Sequence, residues 1–153
     1  MAANSAKTIT KTIVTNTSAY ASGDFLGTGI LTLSDATVVD GALLHAITVT
    51  DLDKQNAAMA FLFFTSACAN TTFTNNGALT LHDTDLLTFI GHVSIDSTNY
   101  VSLADNSVAT KSLAGVGFDS ATNGKDLYCV PVCLGTPTYS ASGLQAKFFF
   151  VRL

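Results

Sequence analysis

The sequence predicts an all-β protein, an antiparallel β-sandwich or barrel-like domain with one short helix near residues 84–90. Two compositional observations carry this. The chain has no glutamate, no tryptophan and a single arginine, Arg152, while 35 of its 153 residues are Thr or Ser. Long unbranched polar side chains favour helix interiors, whereas β-branched Thr suits a pleated, half-buried surface. The third observation is local: short alternating or apolar runs recur along the chain with turn residues between them, the spacing of an antiparallel all-β fold.

Taken in order, Met1 to Thr17 is rich in Thr and Lys and reads as a loosely held N-terminal arm, residues 1–17. Residues 18–153 read as one β domain. Leu43, His45, Ile47 and Val49 alternate with Leu44, Ala46, Thr48 and Thr50, a period of two that runs to Asp51. Asp51-Leu-Asp-Lys-Gln-Asn56 breaks the pattern. Met59 to Phe64 is apolar on both faces, which predicts a central strand covered on both sides or a strand buried at a subunit contact. Asn76-Gly77 and Asn123-Gly124 are hairpin signals, because Asn and Gly tolerate the positive φ of a primed two-residue turn.

The helix is predicted from Asp83 or Thr84 as cap, Asp85 in the first turn, and Leu86, Leu87, Phe89 and Ile90 as an apolar side before Gly91 ends it. Leu127 to Leu134 and Leu144 to Leu153 complete the strands. Pro131 lies in the first of these and has no N–H for a ladder, so it predicts an edge or a bulge. Three adjacent Phe, residues 148–150, must place at least one ring on the opposite face of the strand from its neighbours. Phe61, Phe63, Phe148, Phe149 and Phe150 are therefore candidates for core or for a subunit or capsid contact.

Charge and composition exclude several roles. Net charge is −4, and six Lys and one Arg are scattered from Lys7 to Arg152, so no basic patch marks a nucleic-acid partner. Charged residues are 12% of the chain and mean hydropathy is +0.39, a combination found where copies of the chain or a partner cover part of the surface. No apolar stretch follows the first positive charge near Met1, which predicts synthesis in the cytoplasm without a signal peptide. The longest apolar run, Ala57 to Phe64, is far short of the roughly 20 residues that span a bilayer, so no membrane partner is predicted.

The candidate chemical sites favour structural roles. His82, Asp83 and Asp85 place an imidazole near two carboxylates, but helix capping uses the same residues. Asp51-x-Asp53 with Asn56 offers oxygens for calcium, yet it lacks the glycine and distal acid of an EF-hand loop, and Asx turns account for it. His45 and His92 lie in strand-like segments and read as hydrogen-bonded core or interface histidines. Gly27-x-Gly29 lacks the third glycine and following helix of a nucleotide loop. Cys68, Cys129 and Cys133 are odd in number. Cys129 and Cys133 would stand about 13 Å apart on a regular strand, too far for a disulfide, so all three read as small buried hydrophobes. The sequence predicts no enzyme, no metal and no cofactor.

Four stretches then carry a resemblance. Ser18-Ala-Tyr-Ala-Ser-Gly-Asp24, Ile47 to Phe64, Thr84-Asp-Leu-Leu-Thr-Phe-Ile-Gly91, and Gly135-Thr-Pro-Thr-Tyr-Ser140 with Lys147 to Arg152 resemble small proteins of tailed bacteriophages, among them head decoration or cement proteins. The resemblance runs from about Ser18 to the C-terminus, and its motifs are turns and strands. It implies a β-rich structural virion protein, a homotrimer on the outer surface of a capsid made of the major capsid protein, with no catalytic residues. The alternative role is a tail, baseplate or fibre component that meets host glycans through Tyr20, Tyr100 or Tyr139. A small hydrolase or ligand-binding barrel is the third class, and it would need a cavity lined by convergent polar groups.

Overall fold

The computed structural model describes residues 6–36, 41–118 and 126–153. Two antiparallel sheets face each other. The larger has the order β1-β9-β3-β7-β6, from Ala6–Ile13, Leu144–Arg152, Ala42–Asp51, Ser107–Phe118 and Tyr100–Ser102. The smaller has the order β2-β8-β4-β5, from Leu31–Leu33, Leu127–Cys133, Met59–Phe64 and Phe89–Ile95. The single α-helix among the described residues, α1, is Asp83–Leu86. The predicted sandwich is the architecture found.

Alternation explains the larger sheet. On β9, Leu144, Ala146, Phe148 and Phe150 are buried, while Lys147 between them and Val151 just beyond are exposed. Inward residues of both sheets form one core, in which the Phe61 and Phe148 rings meet edge to face at 5.7 Å and Phe63 meets Phe148 at 6.2 Å. Edge-to-face contact sets the positive ring rim against the negative face of its neighbour, adding to the apolar burial.

Several expectations change. The loosely held arm of residues 1–17 is, from Ala6 to Ile13, strand β1, paired in full register with β9 and anchored by Ile9 and Ile13 in the core. The alternation in β3 shifts at His45, where Leu44 pairs with Phe150 but Ala46 with Phe149. His45 is the extra residue of a β-bulge, and one inserted residue exchanges the two faces of a strand. Ala42 and Leu44 therefore point inward before it, Ile47 and Val49 after it, and Leu43 does not share their face.

The helix is shorter than predicted. His82 is its cap, with Nδ1 accepting from the Thr84 N–H at 3.2 Å, and it gives way after Leu86 to β5. Phe89 and Ile90 are strand residues. Gly91 is also in β5 rather than at a helix end; a Cβ there would meet Val116 Cγ1 at 3.0 Å, so glycine lets β5 approach β7 across the sandwich. Asn76-Gly77 forms a turn, with Gly77 N–H donating to Thr74 O and Asn76 at φ 59°, but no hairpin of two ladder strands flanks it. Asn123-Gly124 lies outside the described residues.

Pro131 is not on an edge strand, because β8 is flanked by β2 and β4. It stands beyond the last β2 pairing, Leu31 with Cys129, where the irregular segment Asp24–Leu26 takes over. The Pro131 carbonyl accepts from Leu26 N–H there, and the missing donor falls where no ladder strand requires it.

Strand β4 is central and covered on both faces, as predicted. Phe61 and Phe63 enter the main core, while Phe64 packs in a second cluster with Phe25, Cys68, Val130 and Val132. The cover over that second face is supplied by residues 65–82 of the same chain. Phe73 lies 4.9 Å from Phe25, Leu79 and Leu81 pack beside it, and Leu79 N–H and Phe25 N–H tie the segment to residues 23–25 through Gly23 O and Gly77 O.

Candidate interaction surface

With loops covering the outside of the smaller sheet, the outward face of the larger sheet is the broad ordered surface left to solvent. Its composition follows from register. One row across the strands is Thr12, Gln145, Thr50, Val108 and Val101; the next is Thr10, Lys147, Thr48 and Thr110. Beyond it come Thr8 with Phe149, and then Ala6, Val151, Leu43 and Gly117. The Thr48 and Thr110 hydroxyls lie 3.3 Å apart across β3 and β7. The described carboxylates all lie off this face, in turns and loops, in α1 or at the buried end of β3, and among the described residues Lys147 is the one formal charge on it. Alternating Thr, which the sequence shows as Thr8-x-Thr10-x-Thr12 and Thr48-x-Thr50, is the signal that could have located this face.

The Phe residues singled out from the sequence divide. Phe61, Phe63, Phe148 and Phe150 are 0–1% exposed and belong to the core, so they are not available for a subunit or capsid contact. Only Phe149 turns outward, half-buried between Thr8 and Ala46. The reason is the strict alternation of β9, which gives the middle ring of the triplet to the opposite face. His45 and His92 are exposed rather than core residues; His92 stacks on Phe89 at 6.4 Å. Tyr20 and Tyr139 are buried against each other, ring centroids 6.0 Å apart, and Tyr100 is half-buried with its hydroxyl donating to Ala57 O. Buried phenols offer a glycan little stacking surface.

The polar groups that resembled catalytic or metal sites are engaged in holding loops. Asp85 is buried, and its carboxylate accepts from the Asn70 N–H and Nδ2 at 3.0 Å each and from the Thr71 hydroxyl at 2.6 Å. Burial opposes its charge, but these bonds outweigh burial and hold the carboxyl below its ordinary pKa. Asp51 makes the expected Asx turn, Oδ1 accepting from Asp53 N–H and Oδ2 from Asn56 N–H. Asp53 Oδ2 accepts from both the N–H and the hydroxyl of Ser140. Among the described residues no group of three or more His, Cys or Asp is placed to hold a metal ion.

The three thiols are free and buried, as predicted for small hydrophobes. Burial, with Asp85 nearby, pushes Cys68 up to about 11, and burial also raises Cys129 and Cys133, so all three are protonated and unreactive near neutral pH. A cleft of about 340 Å³ opens beside Gln55, Asn56, Ser97, Leu134 and Thr136. No titratable side chain lines it. Gln55 already spends both ends of its amide, on Asp53 O and on Thr138 N–H. No helix among the described residues is long and apolar enough to cross a membrane. No protein-family model matches the chain, and no curated protein matches it.

Proposed function

We propose that this chain is a structural virion protein that binds the outer surface of a tailed-phage capsid and stabilises it as a decoration or cement protein, without turnover. The observation that carries the reading is the outward face of the five-stranded sheet. It is hydrogen-bonded across its strands, rich in Thr, and nearly free of charge among the described residues, so docking it against a protein shell removes few ions from water. Desolvating charge is the main penalty that a protein contact must avoid. The resemblance of the four sequence stretches to small proteins of tailed bacteriophages, among them head decoration proteins, supports the same role.

Size argues for many weak contacts rather than one strong one. With strands about 4.8 Å apart and about 3.4 Å per residue, the platform measures roughly 20 by 20 Å, or about 400 Å². A standard stable interface needs about 800 Å² per partner. A single copy would therefore dock weakly, and a homotrimer engaging the major capsid protein at three points would gain through effective concentration.

The test is a particle assay. Particles assembled without the protein should form, but should release DNA at a lower temperature or on sudden dilution of salt; purified protein added back should bind to a fixed stoichiometry and restore resistance. Thr50→Lys, which puts a second charge on the platform without touching the core, should fold normally and bind particles at least tenfold more weakly. Labelling only at the tail tip would overturn the proposal and favour a tail or fibre role.

A further inference from the structure

Three enclosed polar atoms at one end of the sandwich find no hydrogen-bond partner within the protein: Asn56 Oδ1, Ser107 Oγ and Tyr139 OH. Ser107 is 0% exposed and Tyr139 2%. Buried polar atoms are nearly always paired, so three in one region require a common explanation.

Register places two of them together. Asp51 on β3 stands opposite Ser107 on β7, and Ser107 stands opposite Ser102 on β6, so the three form one row. Asn56 bridges the ends of that row: its backbone N–H donates to Asp51 Oδ2 at 2.8 Å and its Nδ2 to Ser102 Oγ at 3.0 Å. Ser107 therefore stands between Asp51 and Ser102, the two residues that Asn56 bonds. Tyr139 enters from the segment leading to β9. Its two chain neighbours tie it to the same end, Thr138 N–H donating to Gln55 Oε1 at 3.0 Å and Ser140 N–H to Asp53 Oδ2 at 2.8 Å, so Tyr139 is held beside the 52–57 loop.

We propose that Ser107 Oγ, Asn56 Oδ1 and Tyr139 OH bind one buried structural water, joining the 52–57 loop to β7 and to the chain entering β9. The donor and acceptor count fits. Asn56 Oδ1 can only accept, Tyr139 OH has a proton to give, and Ser107 can do either, so a single water can donate to the first, accept from the second and satisfy the third. A cation fits poorly, because both Asp51 oxygens already accept backbone N–H groups and a phenol would turn its proton toward the ion. The site is thus built for a neutral ligand that both donates and accepts.

A crystal structure of the full chain at about 1.5 Å, from crystals grown in rubidium chloride, tests this directly. Expected is one peak without anomalous signal, at hydrogen-bond distances of about 2.7–3.2 Å from all three atoms. Ser107→Ala should lower the occupancy of the peak or abolish it, and Tyr139→Phe should shift it toward Ser107. A direct Ser107–Asn56 bond with no peak, or a peak with rubidium's anomalous signal, would overturn the proposal. In solution the wild-type protein should show cross-relaxation between a long-lived water and protons of Tyr139; its absence would count equally against it.

Discussion

Replacing Phe148 with alanine should cost far more than the same change at its neighbour Phe149, and the difference measures how β9 is oriented. Phe148 is fully buried and meets both Phe61 and Phe63 edge to face. Large-to-small changes at such a ring cost about 3–5 kcal/mol through lost transfer energy and a residual cavity. Phe149 is half-buried on the outward face, and its truncation should cost about 1 kcal/mol, the usual scale for a partly exposed apolar residue. For a chain of this length each kcal/mol shifts Tm by roughly 2–4 °C, so Phe148→Ala should lower it by about 6–20 °C and Phe149→Ala by only about 2–4 °C. Urea unfolding followed by circular dichroism, with unchanged m-values, would give the free energies. Should Phe148→Ala be too unstable to purify, Phe148→Leu keeps the comparison. Equal costs at the two positions, or a larger cost at Phe149, would refute the inward placement of Phe148.

Three further outcomes are expected. Gly143→Ala would drive its new Cβ into Asp53 Oδ2 and break the paired bonds from Ser140, costing roughly 2–3 kcal/mol, the scale of hydrogen bonds to a charged group; in an Asp53→Ala background most of that cost should vanish, and a double-mutant cycle without coupling would reject the contact. The depressed pKa of Asp85 means that its folded-state stabilisation is fully present above the unfolded carboxylate range and is lost as pH falls through that range, near pH 4, and below it. Asp85→Asn should flatten the fall of Tm between about pH 5 and pH 2, and an unchanged slope would assign the acid sensitivity elsewhere. Finally, all three thiols should resist a thiol reagent at pH 8 until the protein is unfolded, and reductant should leave the unfolding midpoint unchanged; rapid native labelling of Cys68 would contradict its burial.

Fold class, the central place of β4, the buried cysteines and the Asx turn at Asp51 were legible in the chain because each depends on local pattern or residue chemistry. The sites were less so. His45 illustrates why: its period-two context put it on one face with Ile47 and Val49, as a core or interface histidine, and the bulge that parts it from them is a mismatch between β3 and β9, a relation between two strands. Gly91 reads as a helix stop until the sandwich brings Val116 over it. Asp85 reads as first-turn charge until the loop carrying Asn70 and Thr71 folds back onto it.

By itself, the sequence determined that the protein is β-rich, that it is sparsely charged, and that its Phe triplet must divide between two faces, since these follow from propensity, composition and the alternation of strand side chains. Only the tertiary structure decided which face each Phe takes. It made β1 a core-anchored strand instead of an arm, covered the second face of β4 with residues 65–82 of the same chain, and gathered Thr from β1, β3 and β7 into one open platform. The physical reason is that strand order and register join residues more than a hundred positions apart, as when Thr8 meets Phe149, and alternation within a single segment carries no information about its neighbour.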